Sequence, residues 1–359
     1  MNFNNFFTTD KEWFNKWDDF LSHESRGTHL QNSNWLNTYN AYGFKIELFV
    51  ILDEEEQILG GFMAVVAKKS FFKFYIIPQG PIVKKTYEFS LEICFKQIYN
   101  RSIKLKCCYV QFSIPISDST LITDFVYKNS VKQYIPKLFK KGKKFRYIYT
   151  GYGINWVDLR KFDDFSSYLG SLKSQVRRNI KLAFKRNEHY EYLSNNSTFE
   201  ELKAAYDLVT LNGEQFNYST RSFKDLGPDL LILLKKDLGV FQKVISNSNI
   251  VSSGFSFQNY NYLTYLFGGT KRMSPDTKAG YLVHASNIKN SIEKGMPGYN
   301  ISMGGSEGVR DFKLKFGSQE IYFEEPHYYC IHNRFLFKIF GVLEKQLKKH
   351  KNLISKLLK

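Results

Sequence analysis

The stretch ILGGFMAV, residues Ile58–Val65, returns in altered form as IVSSGFSF, residues Ile250–Phe257, at an offset of 192 residues. Around both stretches, the patterns of apolar residues and turn signals predict the same order: three strands, a helix and a fourth strand. In the first copy these elements are Phe44–Leu52, Ile58–Val66, Phe71–Ile77, Ser90–Asn100 and Tyr109–Ile114. In the second copy they are Val240–Ser246, Ile250–Phe257, Tyr262–Phe267, Tyr281–Glu293 and Tyr299–Met303. Self-similarity at domain length indicates a duplicated fold; the alternative is that two α/β domains share this order by chance.

The fourth strand of each copy follows a helix, so it must return beside the three-stranded meander. This connection gives a mixed β-sheet flanked by helices. We therefore predict an α/β protein with two tandem domains. The 359 residues are enough for about two domains, each with its own core.

A strongly basic segment lies between the two copies. LGSLKSQVRRNIKLAFKRN, residues Leu169–Asn187, carries six basic residues and no acidic one. Its apolar residues recur at helical spacing and predict an amphipathic helix: Leu169, Leu172, Val176, Ile180, Ala183 and Phe184. Beside them runs a row at i, i+4 spacing, Lys173, Arg177, Lys181 and Lys185, in which like charges cost about 0.2–0.5 kcal/mol per pair. Such a row either binds phosphate groups or simply faces solvent.

The composition of the whole chain is basic, with 51 Lys and Arg against 34 Asp and Glu and a formal charge of +17. A surplus of this size favours association with polyanions or anionic surfaces. The four cysteines show neither metal-ligand spacing nor a disulfide framework, so we expect reduced thiols in a cytoplasmic protein without a bound metal. The N-terminal residues do not resemble a signal peptide, and no run of about 18 apolar residues predicts a membrane span.

Four motifs occur in a defined order: HLQNSNW (His29–Trp35), YIIPQGPIV (Tyr75–Val83), NWVDL (Asn155–Leu159) and ISMGGSEGVRDFKLKFG (Ile301–Gly317). Together with the duplicated α/β unit, they resemble the FemABX family of aminoacyl-tRNA-dependent transferases. The resemblance implies two GNAT-like (acyl-CoA N-acyltransferase) domains and covers nearly the whole chain. It divides the chain into GNAT-like domain 1 (1–160), a basic connecting helix (161–190) and GNAT-like domain 2 (191–326). A C-terminal helix within 327–359 returns to domain 1.

The function that the resemblance implies is aminoacyl transfer. In this family an aminoacyl group passes from the tRNA ester to an amine on a cell-wall precursor. The chain would therefore use aminoacyl-tRNA as co-substrate, need no cofactor of its own, and bind tRNA and an anionic diphosphate-linked or peptide-like acceptor. We expect a cytoplasmic monomer that can contact the inner face of the membrane peripherally.

The resemblance also implies site residues. In the family, the lysine after the first phenylalanine of the last motif lies at the aminoacyl end of the site, and Lys313 matches it. Attack of an amine on an ester passes through an oxyanion, so the Lys313 ammonium is the candidate catalytic group; a surface lysine that caps a helix is the alternative. Gly304 and Gly305 would let the backbone approach a ligand, and Phe312 and Phe316 predict an inward aromatic face. The candidate phosphate-binding residues are Arg177, Arg178, Lys181 and Arg221.

Two places depart from the family pattern. Ser302 stands where members usually carry an aspartate ahead of the glycines. Thr38 and Tyr39 stand where enzymes that use a nucleotide-linked muropeptide have a lysine, and Lys45 is the nearest cation. The acceptor can therefore differ from the usual muropeptide.

Two other functions remain open. An acyl-CoA-dependent N-acyltransferase that acts on a nucleotide sugar or a surface polysaccharide precursor would share the fold. The loops before the two repeat helices, KKTYEFSL and SPDTKAGYL, lack the glycine-rich cradle that binds pyrophosphate in GNAT enzymes, which favours the tRNA donor. A non-catalytic RNA- or membrane-binding protein of the same fold is the third interpretation.

The last segment, FLFKIFGVLEKQLKKHKNLISKLLK, predicts an amphipathic helix with an apolar stripe at Leu336, Phe340, Leu343, Leu347, Ile354 and Leu357. We expect this stripe to pack on domain 1 with the lysines outward. The competing interpretation is an interfacial helix held by anionic lipid.

Overall fold

The computed structural model describes residues 3–348, which fold into two units. Of these residues, those up to Tyr152 and those from Tyr322 onward form unit 1, and Gly153–Ile321 form unit 2. The strands are β1 (Asn4–Thr8), β2 (Lys45–Leu52), β3 (Ile58–Lys69), β4 (Phe72–Ile77), β5 (Ile82–Val83), β6 (Tyr109–Ser113), β7 (Lys140–Lys141), β8 (Gly153–Asp158), β9 (His189–Leu193), β10 (Gly239–Ser246), β11 (Asn249–Gln258), β12 (Leu263–Thr270), β13 (Gly298–Asn300), β14 (Gln319–Tyr322) and β15 (His327–Ile331). The α-helices are α1 (Lys11–His23), α2 (Ser33–Asn37), α3 (Leu91–Lys104), α4 (Phe165–Ser171), α5 (Ser174–Arg186), α6 (Phe199–Gln215), α7 (Phe223–Lys235), α8 (Ala279–Glu293), α9 (Glu307–Leu314) and α10 (Arg334–Lys348).

Unit 1 is built on a mixed sheet with the strand order β1-β2-β3-β4-β6-β15-β7, and β5 pairs with β3. The strands β2, β3 and β4 form an antiparallel meander, and α3 then carries the chain to β6, which lies parallel to β4. Alternate residues of β2 belong to two separate apolar cores, Leu48 and Val50 to one and Phe49 and Ile51 to the other. Both faces of this sheet are therefore buried.

Unit 2 repeats this plan with the strand order β14-β8-β13-β12-β11-β10-β9. The strands β10, β11 and β12 form the antiparallel meander, and α8 leads to β13, which lies parallel to β12. The helices α5 and α8 pack in the apolar core of this unit with Val157 and Tyr299 from the sheet. The helix α6 packs on β11 and β12.

The predicted fold class is confirmed, since each unit is a mixed sheet flanked by helices with the same order of strands and helix. Each sheet is completed by a strand from a distant part of the chain. β15 pairs with β6 in unit 1, and β8 pairs with β13 in unit 2. The last predicted strand, Tyr299–Met303, ends earlier, at Asn300, because Ser302 adopts a positive φ of 73° and donates its N–H to the Asn300 side chain.

The observed units differ from the predicted domains at every boundary, and unit 2 ends at Ile321 where the prediction ended domain 2 at residue 326. β8 and the basic segment belong to unit 2, whereas the prediction placed residues up to 160 in domain 1 and set 161–190 apart as a connecting helix. The physical reason is packing, because Val157, Val176 and Ile180 all belong to the core of unit 2. The basic segment is also two helices rather than one, since Leu172 has an extended backbone (φ −82°, ψ 155°) between α4 and α5.

The C-terminal helix α10 belongs to unit 1. As expected, Leu336 and Phe340 pack against an apolar core of that unit, and the Phe340 ring centroid lies 4.7 Å from that of Phe74. Among the helices within residues 3–348, none combines the length and the apolar character needed to cross a bilayer.

The expected stripe on α10 is wrong at Leu343, whose side chain is 37% exposed. Phe337 is half-buried and packs against the core, with its ring centroid 4.8 Å from that of Tyr109. Leu343 follows Leu336 by seven residues and so lies on the same face of α10, but further along the helix than the residues that pack on this core. The side chain of Leu347 and the residues Ile354 and Leu357 lie outside the described part of the chain.

Candidate functional site

Lys313 is buried within unit 2, with 7% of its surface exposed. It lies in the last turn of α9, and its Nζ donates to the carbonyl oxygens of Ser302 (2.9 Å) and Gly304 (3.1 Å). An ammonium group has three donors, and among the described residues these two carbonyls are its acceptors. One N–H therefore remains available for a bound group. The alternative of an exposed capping lysine does not match this burial.

The Lys313 ammonium lies in a poorly solvated environment. Burial lowers the pKa of its ammonium to about 8, and the carboxylate of Glu320 opposes this shift. Burial and the nearby charge of Lys313 together lower the pKa of His284 to about 3, so this imidazole is neutral. The His284 Nδ1 lies 3.0 Å from the Tyr299 hydroxyl. Lys313 is thus the charged residue in a buried cluster of polar side chains that also contains the neutral His284 and Tyr299.

The loop that Lys313 holds requires glycine. Gly304 and Gly305 have φ of 79° and 106°, a region that residues with a Cβ rarely adopt. A Cβ on Gly305 would also lie 2.6 Å from the Val309 side chain. The two glycines therefore shape the turn between β13 and α9, and Lys313 closes it.

Aromatic side chains line this region. α9 ends at Leu314, so Phe312 lies on the helix whereas Phe316 lies in the turn after it. The Tyr281 ring centroid lies 4.9 Å from that of Phe312 and 5.7 Å from that of Phe316. Phe316 is fully buried, and its carbonyl accepts from the Tyr168 hydroxyl at 3.0 Å. The predicted inward aromatic face thus combines a helix residue with a turn residue.

The outer face of α5 is cationic. Val176, Ile180 and Ala183 are buried, which leaves Arg178, Lys181 and Lys185 exposed on the opposite side. Within residues 3–348, none of these three cations forms an ion pair. We call Arg178, Lys181 and Lys185 the α5 cation face.

The other cations of the segment are placed differently. Arg177 is half-buried and donates to the Gly170 carbonyl at 3.1 Å, and Arg186 donates to the Asp276 carbonyl at 2.7 Å. Lys173 is the exposed N-cap residue of α5. The expected row of four exposed cations, Lys173, Arg177, Lys181 and Lys185, therefore loses Arg177, because that side chain helps to hold the α4–α5 connection.

α5 and the Lys313 region meet at Tyr281. The Asn179 side-chain amide donates to the Tyr281 hydroxyl at 3.1 Å, and the Tyr281 ring packs on Phe312 and Phe316. The structure thus brings the cationic helix and the lysine motif into contact with the same residue of α8, Tyr281. Arg221 lies elsewhere in this unit, half-buried between α6 and α7, where its carbonyl accepts from the Tyr206 hydroxyl.

Acidic side chains lie shortly before both repeat helices. Before α8, the Asp276 carboxylate accepts from the backbone N–H of Lys278 (2.8 Å) and from its ammonium (2.7 Å). These contacts hold the pKa of Asp276 below its usual value. Before α3, Glu88 pairs with Arg26 at 2.5 Å. A pyrophosphate needs free backbone N–H groups at a helix start, and before α8 the N–H of Lys278 already donates to Asp276.

The sequence matches the model of the FemAB family over residues 11–223. The chain belongs to the FemAB family. The matched residues include α5 and end before α9. No curated protein sequence matches the chain.

Solved structures show the same fold at low sequence identity. FemX superposes with a TM-score of 0.73 and 14% identity, over 94% of this FemAB-family chain and 99% of that one. L-PGS from Bacillus licheniformis has a TM-score of 0.56 and 10% identity, over 95% and 97%. A tandem GNAT protein from the clavulanic acid biosynthesis pathway has a TM-score of 0.52 and 7% identity, over 92% and 98%.

Family and fold together support a Fem-type transferase, of the acyl- or aminoacyltransferase class, at the level of the family. Within residues 3–348, no group of three or more His, Cys, Asp or Glu side chains is arranged to hold a metal ion. Neither the family nor the fold specifies the donor or the acceptor, so both have to be inferred from the residues of the site.

Proposed function

We propose that this chain transfers an aminoacyl group from aminoacyl-tRNA to an amine of an anionic, diphosphate-linked cell-wall precursor or a peptide-like acceptor. The observation that carries the proposal is the α5 cation face, which has no ion-pair partner among the described residues and belongs to a helix that contacts the Lys313 region through Asn179 and Tyr281. Phosphate groups would neutralise these cations, and contacts of this kind position a nucleic acid without reading its sequence.

The reaction needs few protein groups. The acceptor amine attacks the ester carbonyl of the donor, a C–N bond forms, and the carbonyl oxygen becomes an oxyanion. Collapse of this intermediate breaks the ester C–O bond, and the departing ribose hydroxyl takes up the proton that the amine loses. Lys313 is the proposed catalytic group, because its remaining N–H can stabilise the oxyanion in a place where burial strengthens electrostatic interactions.

The α5 cation face is expected to determine the salt dependence of RNA binding. Arg178→Gln/Lys181→Gln/Lys185→Gln should lower the slope of log affinity against log salt by roughly 2 to 3, because each lost phosphate contact removes about 0.7–0.9. The slope should be measured with tRNA by titration at several salt concentrations. The matched control, Lys224→Gln/Lys235→Gln/Lys236→Gln, removes the same charge from α7 of the same unit and should leave the slope nearly unchanged. If the two variants showed equal slopes, the α5 cation face would be a solvated surface and not a phosphate-binding site.

The donor is expected to be aminoacyl-tRNA rather than acyl-CoA. Support comes from the helix starts, which lack a glycine-rich cradle, and at α8 the N–H of Lys278 is already taken by the Asp276 carboxylate. Purified protein should be incubated separately with a charged tRNA pool and with acetyl-CoA, and binding and donor turnover measured in each. We expect saturable binding and turnover with charged tRNA alone. Saturable CoA binding at micromolar level, without preference for charged tRNA over unrelated RNA, would overturn the tRNA donor and favour the alternative of an acyl-CoA-dependent N-acyltransferase.

The proposed setting of the reaction is the cytoplasm. Cys94, Cys107, Cys108 and Cys330 are all free, which suits a reducing compartment. We propose that the chain acts there as a monomer without a cofactor of its own. Thr38 and Tyr39 are buried and Lys45 is exposed, so the acceptor diphosphate would meet a different cation from that of the muropeptide enzymes.

A further inference from the structure

α10 exposes large apolar side chains that its packing on unit 1 leaves uncovered. Phe335, Val342 and Leu343 are 73%, 50% and 37% exposed, respectively. Phe335 and Val342 are seven residues apart and so lie on the same edge of the helix, and Leu343 lies on the adjoining face, seven residues after Leu336. The opposite edge of the apolar arc is the one that carries Phe337 into the core.

A second apolar group extends this surface. Phe71, at the turn between β3 and β4, is 60% exposed. Its ring centroid lies 4.3 Å from that of Phe72, which in turn lies 5.6 Å from that of Phe340 on α10. We call Phe71, Phe335, Val342 and Leu343 the unit 1 apolar edge.

Cations border the apolar edge. Lys338 and Lys345 are exposed and, like Phe335 and Val342, are seven residues apart, so they form a second row along α10. Glu344 is the one acidic residue of this helix, and its side chain is engaged with the Tyr147 hydroxyl. The helix therefore presents apolar and positively charged rows side by side.

We propose that this surface of unit 1 docks on an anionic lipid bilayer, with α10 lying in the interface. An amphipathic helix with lysines beside its apolar face binds in this way, through apolar burial and attraction to anionic headgroups. A second copy of the chain is a poorer occupant, because pairing two such helices would bring the lysine rows of both copies together. An anionic surface neutralises them.

Vesicle binding tests the proposal. The full chain should co-sediment with vesicles of phosphatidylcholine and phosphatidylglycerol and not with phosphatidylcholine alone. Lys338→Gln/Lys345→Gln should lower the partition coefficient about thirtyfold, and Phe335→Gln/Val342→Gln/Leu343→Gln about a hundredfold or more. The matched control, Ile232→Gln/Lys235→Gln/Lys236→Gln on α7, removes an exposed apolar residue and two cations from unit 2 and should bind as the native chain does.

Fluorescence gives an independent measurement. In Phe335→Trp the indole should shift its emission to the blue on addition of anionic vesicles, whereas Ile232→Trp should not respond. Equal binding to both kinds of vesicle, no response of the Phe335→Trp indole, or a dimer in light scattering that the Phe335→Gln/Val342→Gln/Leu343→Gln variant abolishes would each overturn the proposal.

Discussion

Replacing Lys313 with alanine is expected to lower turnover with an aminoacyl-tRNA donor by about 10²-fold or more, the scale seen when one oxyanion donor is removed. The physical reason is that Lys313 places a buried positive charge at the turn between β13 and α9, with one N–H left for a ligand. Steady-state kinetics should report kcat and KM separately, because a donor aimed at the transition state acts chiefly on kcat.

The matched control is Lys315→Ala. Lys315 lies two residues further on and is exposed, so its removal changes the net charge equally without touching the buried group. Thermal unfolding of both variants separates lost chemistry from lost structure, since Lys313 also holds the carbonyls of Ser302 and Gly304. Small and equal losses of turnover in the two variants would contradict the catalytic assignment.

The pH dependence offers a second measurement of the same role. The pKa of Lys313 is about 8, so its ammonium form predominates below that pH and is lost as the pH rises through it. The value of kcat/KM, which reports the free enzyme, should therefore fall above about pH 8. In Lys313→Arg the guanidinium stays charged, so this fall should disappear. An unchanged fall in that variant would assign it to another group.

Much of the fold could be predicted because the duplicated unit is visible in local patterns of apolar and turn residues. The runs around Ile58 and Ile250 are apolar, and turn residues separate them from the next strands. The pairings of β15 with β6 and of β8 with β13 join distant parts of the chain. Local periodicity carries no information on which distant strand completes a sheet, so these pairings and the true unit boundaries could not be predicted.

The candidate site shows the same limit. Residue type and order pointed to Lys313 and to the basic helix. The setting of Lys313 depends on where α8 and α9 meet, and no local pattern of the sequence shows that His284 lies beside it. The sequence showed Asp276 only as part of a loop without a glycine cradle. Its contacts with Lys278 depend on the conformation of that loop, which the sequence does not reveal. The break at Leu172 was missed because an extended buried leucine has the same apolar signature as a helical one.

Glu47→Ala is expected to lower the free energy of unfolding of unit 1 by about 3–5 kcal/mol. Glu47 points from β2 into the interior, with 4% of its surface exposed. It accepts from the Tyr75 hydroxyl at 2.7 Å and from two nitrogens of Arg101 at 2.7 and 3.0 Å. Removing the carboxylate leaves a phenol and a guanidinium without their acceptor in a largely apolar place, and the penalty of stranding them exceeds the worth of the original contacts.

Urea unfolding followed by tryptophan fluorescence suits this test, because Trp13, Trp17 and Trp35 lie in unit 1 and Trp156 alone lies in unit 2. A chain of two units need not unfold in one step, so the transition that these three indoles report is the relevant one. The control Glu55→Ala removes an exposed acid from the turn after β2 and should change stability by less than about 0.5 kcal/mol. Arg101 retains 21% side-chain exposure, so a loss below about 1 kcal/mol in Glu47→Ala would mean that water replaces the carboxylate as its partner.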